Sequence, residues 1–250
     1  MTHAVYPSLV GKTVVITGGG SGIGEVVVEG FARQDSRVYF LDVATAESQA
    51  LVARLGNGTK FIQCDVTDTA ALRAALAEVE AKAGPVSVLV NNAANDDRHK
   101  FEDVTPAYWE QRIGVNLKHL FFAAQAVAPG MKQAGGGSII NMGSVSWHLS
   151  LPGMPVYETA KAGIEGMTRA LARDLGEANI RVNCVVPGAI RTPRQMKLWH
   201  TPEEEAKILA QQCIKARVDP VHVTAMVLFL ASDDARMCTS HNYWVDAGYR

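Results

Sequence analysis

The sequence predicts an α/β protein with one parallel sheet of seven strands and helices on both of its faces. Short apolar runs rich in β-branched residues alternate with longer stretches of helical periodicity along the whole chain. Strands are predicted over 13–18, 37–43, 60–66, 87–93, 137–144, 181–188 and 242–248. Helices are predicted over 23–34, 45–55, 69–83, 157–178 and 220–231, with a long one near 105–132. Because parallel neighbours need a crossover connection, this alternation favours a doubly wound sheet.

The length and the pattern predict one domain over 1–250, since no linker, low-complexity tract or internal repeat divides the chain. The composition, with 48% hydrophobic and 20% charged residues, is typical of a globular protein. The segment 189–216 interrupts the alternation, because it is charged and carries prolines at 193 and 202. We interpret this segment as a substrate lid over the edge of the sheet.

The charge balance excludes several classes of partner. Lys and Arg total 24 against 25 Asp and Glu, a formal net charge of −1, which offers no basic surface for nucleic acid or membrane. No run approaches 18 apolar residues, so a cytoplasmic protein is expected. The four cysteines lack a CxxC pair, and the seven histidines lack HxxxH or HExxH spacing. We therefore predict reduced cysteines and no metal site.

A glycine-rich loop, TGGGSGIG at 17–24, joins the first predicted strand to the first predicted helix. Its glycines allow a tight turn and the close approach of a pyrophosphate, whose charge then meets the positive end of the helix. Strand, loop and helix together favour dinucleotide binding over a merely flexible loop, and predict a sheet of the Rossmann type. The cofactor-binding candidates in this loop are Gly18, Ser21, Gly22, Ile23 and Gly24.

Acidic and small residues follow the next three predicted strands. Asp42 is placed to accept hydrogen bonds from the adenosine ribose and to repel a 2′-phosphate, which predicts NAD rather than NADP. The simpler alternative is an exposed aspartate at a strand end. Asp65 and the backbone amide of Val66 are candidates for holding the adenine, and Asn92 and Ala93 for lining a flat cofactor. The asparagines of NNAA are alternatively turn formers, but open α/β sheets bind ligands at this end of their strands.

Three side chains suggest proton transfer: Ser144, Tyr157 and Lys161. Tyr157 and Lys161 are four residues apart on a predicted helix and therefore share a face. A positive charge beside a phenol lowers the phenol's pKa from about 10, which favours a general base that can deprotonate an alcohol. The YxxxK pattern also occurs on ordinary helices, so these residues alone do not establish an active site.

The ordered set of motifs resembles the classical short-chain dehydrogenase/reductase family over essentially the whole chain. The set comprises TGGGSGIG, Asp42, Asp65–Val66, NNAA, Asn116, Ser144, YxxxK at 157–161 and PGAIRT at 187–192. The resemblance implies that Ser144 positions the substrate oxygen, Tyr157 is the general base, and Lys161 lowers its pKa and holds the nicotinamide ribose. It also implies that Asn116 interrupts its helix and holds a water in the proton relay.

The resemblance extends to the nicotinamide side of the site and to the assembly. It implies that the nicotinamide is lined by Pro187, Gly188, Ile190 and Thr192. Ala94 departs from the glycine usual in the family, which one methyl group should allow. The family likeness implies a homotetramer. A stripe of Ile164, Met167, Leu171 and Leu175 serves either the core or a helix interface, and the strand from Tyr243 to Tyr249 is a second interface candidate.

Segments outside the shared motifs resemble the bacterial sugar 1-dehydrogenases of this family that act on D-xylose or L-arabinose. These segments are NDDRHK at 95–100, SWH at 146–148, Tyr157–Glu158 and YWVDAGYR at 243–250. The likeness implies NAD-dependent oxidation of the anomeric hydroxyl of a pentose to an aldonolactone.

The residues themselves agree with a small sugar, because several donors and acceptors beside an aromatic face suit a polyhydroxylated ring better than an acyl chain. The substrate-contact candidates are Asn95, Asp96, Arg98, His99, Ser144, Trp147, His148 and Tyr157. The alternative for NDDRHK is a solvated charged loop. Two further functions stay open: a dehydrogenase of another secondary alcohol, such as a polyol or 3-hydroxyacyl group, and a non-catalytic dinucleotide-binding protein.

Overall fold

A computed structural model describes residues 3–56, 58–199 and 201–249 of the chain. Its sheet has seven strands in the order β3-β2-β1-β4-β5-β6-β7, and every neighbouring pair is parallel. The strands are β1 Thr13–Thr17, β2 Arg37–Asp42, β3 Lys60–Gln63, β4 Val88–Asn91, β5 Gly137–Met142, β6 Ile180–Pro187 and β7 Asn242–Val245. The predicted seven-stranded, doubly wound parallel sheet is confirmed.

The α-helices of the described chain match the predicted ones closely, with three additions. They are α1 Gly22–Ala32, α2 Thr45–Leu55, α3 Thr69–Ala83, α4 Pro106–Ile113, α5 His119–Gln133, α6 Ser146–Leu149, α7 Pro155–Leu175, α8 Pro193–Leu198, α9 Pro202–Gln211 and α10 Pro220–Ala231. The long helix predicted near 105–132 is α4 and α5 joined by a π-helical turn, Gly114–Lys118. The helices that the sequence pattern did not predict are α6, α8 and α9.

Two apolar layers enclose the sheet, because successive side chains of each strand point to opposite faces. On β1, Val14 and Ile16 join a core with α1, α2 and α10, in which Phe31 is fully buried. Val15 faces the other way and joins a core with α3, α5 and α7. All five residues of β1 are buried, so the centre of the sheet is covered on both faces.

The stripe on α7 packs against the interior of this chain. Ile164 is fully buried beside Leu120, and Met167, half-buried, packs against the same cluster. Leu171 and Leu175, also half-buried, pack against the core shared with α3 and α5. The structure therefore assigns Ile164 to the core, and the other three side chains contact the core and keep an exposed part.

The segment 189–216 is largely helical in the structure. Each of its two prolines occupies the first position of a helix, where the missing N–H is not needed. The hydroxyls of Thr192 and Thr201 accept hydrogen bonds from backbone N–H groups in the first turns of α8 and α9. Pro193 and Pro202, which break the alternation of strands and helices in the sequence, thus each begin a helix. Within the described part of the chain, no helix combines the length and the apolar character needed to cross a membrane.

Candidate active site

A cavity of about 1490 Å³ opens where the central strands end. Strand order reverses between β1 and β4, since β2 and β3 lie on one side and β5 to β7 on the other. Such a switch point leaves a crevice at the carboxyl ends of the strands, which is where open α/β sheets bind ligands. Several predicted strands extended beyond the observed ones, and the excess residues turn out of the sheet to line this crevice.

The glycine loop forms one end of the cavity. Gly18 and Gly22 have φ of +67° and +61°, which favours glycine at both positions. A Cβ on Gly24 would lie 1.9 Å from the carbonyl oxygen of Gly18, so no side chain fits there. Asn92 donates a 2.8 Å hydrogen bond to that same carbonyl oxygen, and fixes the loop against the end of β4. The loop thus exposes backbone and the N-terminus of α1 to the cavity, as a pyrophosphate requires.

The residues predicted to hold the adenosine half lie along the same wall. Asp42 lines the cavity, and its carboxylate accepts hydrogen bonds from the N–H groups of Gly20, at 2.8 Å, and Ala44, at 2.9 Å. Asp65 and Val66 also line the cavity. The structure therefore fixes a carboxylate in the wall of the cavity, beside the glycine loop.

The opposite wall carries the residues predicted to line a nicotinamide. Pro187, Gly188, Ile190 and Thr192 all border the cavity. A Cβ on Gly188 would lie 2.7 Å from the Cα of Asp246, so this position also excludes a side chain. Between these two walls, the cradle of backbone and small residues fits a nicotinamide dinucleotide.

Ser144, Tyr157 and Lys161 meet at the centre of the cavity, as predicted. The Lys161 ammonium lies 5.4 Å from the centre of the Tyr157 ring and donates a 2.8 Å hydrogen bond to the carbonyl oxygen of Met142. Lys161 is 2% exposed. A hydrogen bond with Ser144 favours the ionised form of Tyr157. The arrangement has the parts that alcohol deprotonation needs: a phenol, a hydroxyl and a buried cation.

The charges around Tyr157 differ from the simple expectation. Burial raises the pKa of Tyr157 above its ordinary value, the carboxylate of Asp96 raises it further, and Ser144 and the Arg98 guanidinium oppose this. Burial lowers the pKa of Lys161 to about 8, against the opposing effects of Cys184 and Asp96. In the protein alone, the cost of burying a phenolate therefore outweighs the opposing effects of Ser144 and Arg98. The net direction of the Tyr157 shift is upward, contrary to the sequence-based expectation.

Asn116 lies in the π-helical turn and is fully buried. Its Oδ1 accepts a 2.8 Å hydrogen bond from the backbone N–H of Asn95, and its Nδ2 donates a 3.0 Å hydrogen bond to the Asn95 carbonyl oxygen. The paired bonds anchor the loop after β4 to the helix. Asn116 is absent from the residues that border the cavity, whereas Asn95 borders it.

Half of the predicted sugar-contact residues outside the catalytic group border the cavity, and half do not. Asn95, Asp96 and Arg98 border it. His99 instead contacts the Tyr108 hydroxyl at 2.9 Å, and braces the loop. Trp147 and His148 turn to the carboxylate of Glu165, as described below. The structure thus places these three predicted side chains against other parts of the protein: Trp147 and His148 supply hydrogen bonds to the buried Glu165 carboxylate, and His99 contacts Tyr108.

Other side chains border the cavity without having been singled out from the sequence. From α8 and the residue that follows it, Gln195 donates a 2.5 Å hydrogen bond to Asp96, and the Trp199 ring lies 5.3 Å beneath the Arg98 guanidinium. Tyr249 borders the cavity from the C-terminal segment. In the sequence, the feature that indicated Gln195 and Trp199 was the break in the alternation of strands and helices over 189–216. Among the described residues, no cluster of three or more His, Cys, Asp or Glu side chains is arranged to hold a metal ion.

Comparisons with known proteins agree with this geometry. The model of a family described as enoyl-(acyl carrier protein) reductase matches residues 18–250. The chain is 60% identical to D-xylose 1-dehydrogenase of Caulobacter vibrioides (strain NA1000 / CB15N) over 253 residues, covering 100% of both chains. It is 48% identical to a protein assigned as a galactose dehydrogenase, GalD, of Rhizobium meliloti (strain 1021), over 97% of this chain and 96% of that one.

A solved structure assigned to the short-chain alcohol dehydrogenases, from Sinorhizobium meliloti 1021, superposes with a TM-score of 0.91. It is 29% identical and covers 97% of this chain and 98% of that chain. Fold, motif order and relatives agree, and the family expected from the sequence is confirmed. The chain belongs to the short-chain dehydrogenase/reductase family of oxidoreductases.

Proposed function

We propose that this protein is an NAD-dependent aldose 1-dehydrogenase that oxidises the anomeric hydroxyl of a pentose, of the D-xylose or L-arabinose type, to the aldonolactone. The observation that carries the proposal is the polar lining beside Tyr157. Asn95, Asp96, Arg98 and Gln195 border the cavity, and the charges of Asp96 and Arg98 act on the phenol. An acyl chain or a steroid would require a mainly apolar wall there. The 60% identity to a D-xylose 1-dehydrogenase supports the same substrate class.

The catalytic roles follow from the chemistry of the three central side chains. The Ser144 hydroxyl holds the anomeric oxygen, and Tyr157 as phenolate removes its proton. The buried Lys161 supplies the positive charge that favours the phenolate, and it would donate a hydrogen bond to the nicotinamide ribose. Asn116 fixes the backbone of Asn95 and thereby the loop that carries Asp96. Loss of one proton and one hydride from the anomeric centre converts the aldose to its lactone.

The cofactor would be held by residues of four segments. The glycine loop would receive the pyrophosphate, Asp42 the adenosine ribose, and Asp65 with the Val66 amide the adenine. Pro187, Gly188, Ile190 and Thr192 line the cavity and would surround the nicotinamide, whose oxidised ring would supply the acceptor for the anomeric hydride.

The preference for NAD over NADP rests on Asp42 and its neighbours. Val43 and Ala44 follow this carboxylate, so no cation adjoins it in the sequence. The negative charge, held by two backbone N–H groups, repels a 2′-phosphate.

Three further properties complete the proposal. The segment 189–216 acts as a substrate lid, supported by the hydrogen bond of Gln195 to Asp96. A homotetramer and a cytoplasmic location follow from the likeness to the family.

The proposal is tested by NADH formation from a panel of substrates by the purified chain. We expect the highest kcat/KM with D-xylose or L-arabinose, and a lactone as the product in mass spectrometry. A higher kcat/KM with a polyol or a 3-hydroxyacyl thioester would reassign the substrate. NAD binding without turnover of any alcohol would instead support a non-catalytic dinucleotide-binding protein.

A further inference from the structure

The C-terminal segment after β7 folds back as a tight turn. Ala247 and Gly248 are consecutive residues with φ of +56° and +72°. The left-handed conformation is unfavourable for an alanine, so the surrounding contacts must hold the turn. They include hydrogen bonds from the Gly248 N–H to the Asp246 carboxylate, at 2.9 Å, and from the Tyr249 N–H to the Asp246 carbonyl oxygen, at 3.1 Å. Asp246 is 6% exposed.

The same turn is attached to the segment that follows α9. The carbonyl oxygen of Ala247 accepts hydrogen bonds from the N–H groups of Cys213, at 2.9 Å, and Ile214, at 3.0 Å. A Cβ on Gly248 would lie 2.7 Å from the Cys213 Sγ, so the Cys213 side chain packs directly against the Gly248 backbone. The end of the chain and the end of α9 therefore hold each other in place.

This turn places the side chain of Tyr249 at the cavity. It is 7% exposed, borders the cavity, and packs in a cluster with Val145 and Ile208. Val145 directly follows Ser144, and Ile208 lies on α9. Tyr249 thus lies between the segment that carries the catalytic serine and the proposed lid.

The cavity needs an apolar face for a sugar ring, and Trp147 does not supply it. Among the described residues, the aromatic side chains that border the cavity are Tyr157, Trp199 and Tyr249. Tyr157 is the proposed base, and the Arg98 guanidinium lies over Trp199. Aromatic rings pack well against the C–H groups of a saturated ring while their polar edges stay hydrogen-bonded. Tyr249 has both the ring and the position for this role.

We propose that Tyr249 forms a wall of the aldose pocket and determines its specificity, by packing against the sugar ring and limiting the space for a substituent beyond a pentose. The inference rests on the proposed function, and assigns the aromatic end of the chain to the chain's own active site. It gives YWVDAGYR at 243–250 a function other than a subunit interface.

The test compares Tyr249→Leu and Tyr249→Phe with a control, Tyr243→Leu, which shortens an aromatic side chain of β7 outside the cavity. For each variant, kcat and KM are measured with D-xylose and D-galactose, and KM is measured with NAD. We expect Tyr249→Leu to raise KM for D-xylose about 10-fold and to lower the pentose-to-hexose ratio of kcat/KM about 10-fold, the usual effect of about one methylene of pocket space. Tyr249→Phe and Tyr243→Leu should stay near the wild-type values, and KM for NAD should not change.

A second variant keeps the test informative if Tyr249→Leu does not fold. Tyr249→Trp enlarges the wall and should raise the pentose-to-hexose ratio, opposite to the effect of leucine. If the wild type oxidises aldoses but neither variant changes the ratio, the inference about Tyr249 is overturned alone. If the wild type oxidises no aldose, the proposed function is overturned, and this inference with it.

Discussion

Replacing Glu165 tests whether one buried carboxylate holds the active site together. Glu165 is 8% exposed and lies on α7, one turn after Lys161. Its Oε1 accepts hydrogen bonds from Trp147 Nε1, at 2.9 Å, and from His148 Nε2, at 2.8 Å, and its Oε2 accepts one from Asn242 Nδ2. Three secondary-structure elements, α6, α7 and β7, thus meet at one side chain.

The carboxylate connects the two halves of the catalytic group. Trp147 and His148 belong to α6, which begins two residues after Ser144. The centre of the His148 ring lies 3.7 Å from that of Trp147 and 4.3 Å from that of Trp244, in tilted arrangements, so α6 also packs against β7 through aromatic contacts. Glu165 therefore fixes the serine segment against the helix that carries the tyrosine and the lysine, and we regard it as a positioning residue.

The cost of Glu165→Leu follows from the donors it leaves without an acceptor. Each buried donor without a partner costs about 1–3 kcal/mol, and three such donors give a range of about 3–9 kcal/mol. The side chain of His148 is 23% exposed and regains water, which favours the lower end of that range. We expect Glu165→Leu to lower the free energy of unfolding by about 3–5 kcal/mol, as for other broken buried pairs.

Glu165→Gln separates positioning from charge. A glutamine Oε1 still accepts from Trp147 and His148, while its Nε2 faces Asn242. The Oδ1 of Asn242 is buried and has no hydrogen-bond partner within the described chain, so rotation of that amide lets it accept the new donor. We expect Glu165→Gln to cost only about 1 kcal/mol, the value of one ordinary hydrogen bond.

The assay combines urea unfolding with steady-state kinetics on an aldose. Displacing Ser144 by about 1 Å should lower kcat of Glu165→Leu about 100-fold. KM for NAD should stay near the wild-type value. Asp174→Leu, an exposed position on the same helix, is the matched control and should change neither quantity. The reasoning fails if Glu165→Leu keeps wild-type stability and kcat, or if Glu165→Gln is as damaging as Glu165→Leu.

The remaining predictions concern the base, the cofactor and acid stability. Tyr157→Phe should lower kcat at least about 1000-fold with unchanged NAD binding by fluorescence titration, since the general base is lost; near-normal turnover would exclude this role. Asp42→Ala should raise KM for NAD about 10-fold, because a charge-assisted hydrogen bond is lost, and it should lower the NAD-to-NADP ratio of kcat/KM. An unchanged ratio would show that Asp42 does not bind the ribose. Burial lowers the pKa of His119 to about 3, with the Lys161 charge contributing, from an ordinary value of 6.5. The folded chain keeps this imidazole neutral, which costs nothing above about pH 6.5. As pH falls toward 3, the unfolded chain binds a proton here that the folded chain does not, so the free energy of unfolding should be about 2 kcal/mol lower at pH 5 than at pH 7. His119→Gln should remove most of that difference in urea titrations, and an identical difference in this variant would contradict the assignment.

The fold was predictable because local and global signals agree. The strands of the centre are continuous apolar runs, and only a parallel sheet covered on both faces buries such runs. Their ends were less predictable, since Asn92 and Ala93 directly continue the fourth apolar run in the sequence but follow β4. The segment 189–216 was misjudged in detail, because Pro193 and Pro202 were interpreted as breaks although each begins a helix.

The centre of the site was predictable from spacing, and its periphery was not. Tyr157 and Lys161 share a helix, so four residues of separation determine their common face. The direction of the Tyr157 pKa shift was not predictable, because it depends on how completely the phenol is buried and on Asp96, which approaches from another loop. Contacts between distant segments carry no periodic signal in the sequence.

Two aromatic side chains show why the periphery needs the structure. Trp147 lies three residues after Ser144, and proximity in sequence favoured it as the sugar platform. The buried carboxylate of Glu165 takes its indole N–H instead, since a buried charge must be hydrogen-bonded before any ligand binds. Tyr249 is far from Ser144 in sequence, yet the left-handed turn at Ala247 and Gly248 brings it beside Val145. The buried Glu165 carboxylate thus holds Trp147 outside the pocket, and the turn at the end of the chain places Tyr249 beside it.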